Sequence, residues 1–118
     1  MSDAITLFVE SEVVPGKLDE LKETISRLVD HIGKTEKDTL IYSWHLNDDG
    51  TEVRVVEHYA NSDAVLFHAK NYAPFAKELA ALRKVKDFNI CGNPSPELKE
   101  AFAAIHPNTF SFIDGHFK

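Results

Sequence analysis

The sequence predicts an α+β domain: a split β-α-β arrangement in which helices cover one face of an antiparallel four-stranded sheet. Three observations predict it. Apolar residues alternate over residues 5–14 and then recur at helical spacing from Leu18 to Ile32. Two more alternating runs flank Asp49-Gly50, a strong hairpin signal. A second helical run begins at Ser62 and leads into one more strand over residues 85–91.

Composition narrows the function classes. At 118 residues the chain is a single domain, able to bury roughly two-thirds of its unfolded surface. A net charge of -6 with scattered basic residues excludes nucleic acid and anionic membrane as partners, which need basic patches. The opening MSDAITLFVE carries an acid where a signal peptide needs positive charge. No apolar run approaches the roughly 20 residues of a membrane helix, and a cytoplasmic location is expected. One cysteine, Cys91, excludes an internal disulfide and a multi-thiolate metal site. It is expected to be a small core residue, and no metal-ligand spacing of histidines or carboxylates is present.

Each element has its own warrant. In the first strand Ile5, Leu7, Val9 and Val13 take one face and Thr6, Phe8, Glu10 and Glu12 the other, until Pro15-Gly16 breaks it. The first helix carries the stripe Leu18, Leu21, Ile25, Leu28, Val29 and Ile32, with acids near its start and Gly33 placed to end it. Residues 34–38 then connect. A two-residue turn at Asp49-Gly50 sets Tyr42 opposite Glu57, Trp44 opposite Val55, Leu46 opposite Val53 and Leu40 opposite Tyr59. One sheet face becomes apolar or aromatic, with Glu57 among aromatic neighbours. Ser62 is the expected N-cap of the second helix, and Pro74 is expected to kink or restart it. Gly92-Asn93-Pro94 ends the fourth strand. Ser95-Pro96-Glu97 starts a short helix with the stripe Leu98, Phe102 and Ile105, and residues 109–113 alternate as a short final strand.

This order is the ferredoxin-like one. The other sheet face would hold Thr6, Phe8, Ile41, Ser43, Val56 and His58, which is too apolar for water, so a partner chain is expected to cover it. The opening strand ending in Pro15-Gly16-Lys17, the strand end Glu57-His58-Tyr59, the helix start from Ser62 to His68 and Tyr72-Ala73-Pro74-Phe75 resemble the antibiotic biosynthesis monooxygenase family. The resemblance covers about residues 4–92 and leaves an extension over residues 93–118. It implies a homodimer, a dimeric α/β barrel, and for many members oxidation of quinols or polyphenols by oxygen without a cofactor. Haem-degrading members use an asparagine, a tryptophan and a ligating histidine where this chain has Val9, His68 and Glu78. The resemblance therefore implies no haem and no other cofactor here.

Glu57 and His68 are the candidate catalytic residues. A carboxylate on an apolar face has a raised pKa and becomes a usable base near neutrality. The alternative is a structural acid hydrogen-bonded to Tyr42 or to a helix. His68 lies on the helix that covers the sheet and matches the family's helix histidine; it suits proton abstraction from a quinol. The alternative is a core or interface histidine satisfied by one hydrogen bond. Tyr42, Trp44, Tyr59, Tyr72 and Phe75 are the candidate lining of a flat aromatic pocket for a small hydrophobic or aromatic molecule, or else plain core. His31, His106 and His116 are expected to be solvated or capping. Two functions compete: a cofactor-independent monooxygenase, and a non-catalytic dimeric module that binds a small ligand or protects a partner. The extension is expected to pack across the dimer, since Leu98, Phe102, Phe110, Phe112 and Ile113 would otherwise be exposed.

Overall fold

A computed structural model describes residues 3–117. The elements are β1 (Ile5–Val13), α1 (Leu18–Thr35), β2 (Thr39–Leu46), β3 (Glu52–Tyr59), α2 (Ser62–Leu82), β4 (Arg83–Gly92), α3 (Pro96–Phe102) and β5 (Asn108–Phe110), with a 3₁₀ turn, Ala103–Ile105, after α3. The sheet has the order β2-β3-β1-β4-β5. Its first four strands pair antiparallel, as the ferredoxin-like reading requires, and β5 adds a fifth strand parallel to β4. The expected four-stranded sheet is thus a mixed five-stranded one. Among the described residues no helix is long and apolar enough to cross a membrane.

The β2–β3 register is the expected one, with Tyr42 opposite Glu57, Trp44 opposite Val55 and Leu46 opposite Val53. The turn is different. Asn47 and Glu52 close it through backbone bonds, the Asn47 side chain accepts from the amides of Thr51 and Glu52, and only Gly50 takes positive φ. A four-residue loop replaces a two-residue one. Both loop lengths are even, so the sheet faces do not change. Near its start β2 slips against β3 between Thr39 and Ile41, so Thr39, and not Leu40, pairs with Tyr59.

Two helix ends also differ from expectation. α1 continues past Gly33 to Thr35, where the Thr35 hydroxyl donates to the His31 carbonyl and the Glu36 amide closes the last turn on Ile32. Asn61, and not Ser62, caps α2: its side chain accepts from the Ala64 amide. The Ser62 hydroxyl instead accepts from the Ser95 amide, tying the start of α3 to the start of α2. Pro74 does not break α2. It is exposed, so the carbonyl of Lys70 that it leaves unbonded faces water.

The core has two parts. Ile5, Leu7, Tyr59, Val65, Ile90, Leu98 and Phe102 form one; Leu21, Leu28, Ile32, Val53, Leu79 and Leu82 form the other, between α1 and α2. Leu98 and Phe102 are therefore buried within their own chain and need no second copy to cover them, while β5 pairs with its own β4. Phe110 and Ile113 stay exposed. Cys91 is exposed and not core: strand alternation turns its neighbour Ile90 inward and Cys91 to the opposite face.

Candidate functional site

An apolar cavity of about 300 Å³ lies between the helix-facing side of the sheet and the α2 and α3 segments. Leu7, Val9 and Val55 form its floor, and Ala69, Phe88, Phe102 and Ile105 close its sides. Into this space the fold delivers Tyr42, Trp44, Glu57, His68, Tyr72 and Arg83.

Glu57 reaches it by strand alternation. Val53, Val55, Glu57 and Tyr59 all point inward from β3, so a carboxyl is buried on a face of hydrocarbon and aromatic rings. Tyr42 stands across from it on β2 and Leu7 on β1. The Tyr59 hydroxyl donates to Glu57 Oε1 at 2.5 Å. Burial pushes the Glu57 pKa up, and nearby His68 and the bond from Tyr59 offset part of that rise. Burial, with the Glu57 charge added, also pushes the Tyr42 and Tyr59 phenols far above their ordinary range. These two tyrosines are donors and not bases.

His68 is buried on α2, and its two nitrogens face different carboxyls. Nδ1 lies 3.0 and 3.1 Å from the two carboxyl oxygens of Glu36. Those oxygens also accept from the Thr39 hydroxyl and the Asn71 amide, each at 2.7 Å. A carboxylate that only accepts fixes the proton on Nδ1 and leaves Nε2 to exchange protons. Nε2 is 3.5 Å from Glu57 Oε1, next to it without a closed hydrogen bond. The rings of Tyr42, Tyr59 and Tyr72 surround the imidazole at centroid distances of 5.3, 5.5 and 5.7 Å.

At the other end, Arg83 donates from Nη1 to the Ser11 hydroxyl at 3.1 Å and from Nη2 to the Tyr72 hydroxyl at 3.2 Å. Its guanidinium lies over the Trp44 ring, 4.7 Å from the centroid. The buried Trp44 Nε1–H has no hydrogen-bond partner among the described residues. It faces the Tyr42 phenol and lowers its pKa against the larger rise from burial and Glu57, without reaching bonding geometry. A second cavity, of about 400 Å³, lies behind Glu36, lined by Thr39, Asn61, Asp63 and Phe67 among others.

Five of the seven residues singled out from the sequence, Tyr42, Trp44, Glu57, His68 and Tyr72, share the first cavity. Tyr59 lies fully buried behind Glu57 and does not line it. Phe75 packs toward α1, with the His31 ring at 5.7 Å, and is also outside. His31 is half-buried and bonded through Nε2 to Asn71 Oδ1 at 2.7 Å, so it is neither solvated nor capping. Sequence reasoning missed Glu36 and Arg83. Glu36 sits in a polar run that gave no sign of burial, and Arg83 sits beside Lys84 in a short basic pair.

The whole chain superposes on MupZ from Pseudomonas fluorescens with a TM-score of 0.87, covering 100% of this chain and 91% of that one at 19% identity. SnoaB from Streptomyces nogalater, a cofactor-independent oxygenase, matches with a TM-score of 0.64 over 75% of this chain and 91% of its own, at 17% identity. A conserved protein from Methanosarcina mazei Go1 matches with a TM-score of 0.66 over 74% and 89%, at 15% identity. These likenesses are of fold. No curated protein matches the sequence. The family model for antibiotic biosynthesis monooxygenases matches residues 4–89, the span that holds both β-α-β halves and every polar group of the cavity, and the chain belongs to that family.

Proposed function

We propose that this chain is a cofactor-independent monooxygenase that oxidises a small quinol-type aromatic with molecular oxygen. The observation that carries this reading is His68, oriented through Nδ1 by Glu36 and presenting Nε2 beside Glu57 in an apolar cavity. His68 Nε2 takes the proton of a ring hydroxyl. The resulting anion is electron-rich at the ring carbon ortho to that oxygen, which in a quinol carries a hydrogen, and this carbon reduces oxygen and bonds to it. A proton held by Glu57, favoured by its raised pKa, completes the hydroperoxide. Loss of water then removes one oxygen atom and the carbon's hydrogen, leaving a carbonyl. Tyr42 and Tyr72 are the proposed donors to substrate oxygens, and Trp44 supplies a flat wall.

The family to which the chain belongs and the fold shared with a cofactor-independent oxygenase support this reading. Convergence of His68 and Glu57 on one cavity favours an enzyme over a binding module, in which each would be satisfied singly. We further propose a homodimer, with the outer sheet face as its interface. A second reading rests on one observation, a carboxyl with a raised pKa beside an oriented imidazole. That pair also suits proton transfer without oxygen.

Oxygen uptake with a panel of reduced benzo- and naphthoquinols tests the first reading, with His68→Ala beside the wild type. The expected result is uptake above the buffer rate that falls roughly 10²–10⁴-fold in the variant. Uptake no faster than buffer across the panel, or full uptake in His68→Ala, rejects it. Anaerobic exchange of substrate protons with solvent would then identify the second.

A further inference from the structure

We infer that the cavity binds an apolar molecule carrying a carboxylate, with the carboxylate on Arg83 and the reacting ring toward His68. This assignment rests on the cavity being the substrate site. The chain has three arginines. Arg27 is paired with Glu78, and Arg54 with Glu10 and Glu52. Arg83 is not: among the described residues, no carboxylate lies within ion-pair distance of it, in a chain with 19 acidic residues. It is half-buried and lines the apolar cavity. Glu57, on the same cavity, feels the Arg83 charge only from beyond ion-pair distance and is itself pushed toward the protonated form by burial. A guanidinium on this apolar wall is therefore costly until an anion arrives.

Its geometry suits a two-oxygen anion. Three neutral contacts hold the group: the Ser11 hydroxyl, the Tyr72 hydroxyl and the face of Trp44. These fix the plane but use only two of five N–H donors, leaving three for a ligand. The Tyr72 oxygen accepts from Arg83, which frees its own proton to donate beside the guanidinium. The buried indole N–H of Trp44 supplies another donor without an acceptor. A phenolate offers one oxygen and belongs at the His68 end, where its proton is removed. A carboxylate accepts from the fork in pairs.

The test is equilibrium binding under nitrogen of 2-naphthoate and its neutral analogue 2-naphthamide. Trp44, the only tryptophan of the chain, reports occupancy by its fluorescence. The wild type is expected to bind the naphthoate at least about tenfold more tightly than the amide. Arg83→Gln should remove that preference, and Arg83→Lys should retain part of it. Equal affinity of the two compounds for the wild type overturns the inference without any variant. So does a preference that survives in a folded Arg83→Gln. Because no oxygen is consumed, a carboxylate preference stands or falls separately from turnover with quinols.

Discussion

Glu57 carries most of the pH dependence that the cavity can impose on the fold. Its folded pKa is raised above the unfolded carboxyl value, so the folded state holds the proton to higher pH than the unfolded chain does. Stability from this group is greatest at low pH and declines as pH rises from about 4.3, the unfolded value, through the folded pKa. Glu57→Gln keeps an oxygen for the Tyr59 hydroxyl but has no proton to lose. Urea unfolding across a pH series should therefore show the variant gaining on the wild type through that window and holding a constant lead above it. Parallel curves would mean that Glu57 is not buried against ionisation. Glu57 and His68 were legible in the sequence, because strand alternation and one helix position are enough to aim them at the same space. Glu36 was not. Its burial depends on α1 outlasting Gly33 and on Thr39 and Asn71 closing around it, none of which a polar run records.

At the scale of elements, the hydrophobic pattern set the register of β2 on β3 even though the turn that joins them has a different length. The faces followed from burial, and any even loop serves them. Capping was less legible, since Asn61 and Ser62 are both good cap residues in adjacent positions and only one can occupy the cap. The structure separates their duties, and a pair of substitutions can measure the separation. Asn61→Ala removes the acceptor for the Ala64 amide and should lower stability by about 1 kcal/mol. Ser62→Ala leaves α2 capped but frees the Ser95 amide, so α3 should loosen. Amide hydrogen exchange would register faster exchange in the first turn of α2 for one variant and in α3 for the other. Exchange that quickens in α2 for Ser62→Ala would contradict the assignment. Pro74 does not break α2: it lies on the exposed side of a long packed helix, where the carbonyl it leaves unbonded is solvated.

For the whole molecule, the order of strands and helices could be read from periodicity alone, and so could the apolar character of the outer sheet face. That face carries Phe8 at 37% exposure and Ile41 at 49%, both large apolar groups left to water by the single chain. A short final strand could be read, but its place in the sheet could not, because residues 108–110 pair in parallel with β4 across a helix, a long-range contact with no local signal. The proposed homodimer predicts that Phe8→Asp sediments as a single chain with its circular dichroism unchanged, while the wild type sediments at twice that mass. A wild type that sediments as a single chain at micromolar concentration would remove the dimer from the account.

Glu36 is both the partner of His68 and a wall of the second cavity, so the imidazole stands in a partition between two chambers. Nε2 looks into the chamber that holds Arg83 and Trp44, and Nδ1 looks through a carboxylate into the other. In the proposed cycle the proton that Nε2 gains equals the one that Glu57, 3.5 Å away, gives up. The pair can thus reset itself without a proton entering or leaving, while Glu36 anchors the ring from the other chamber.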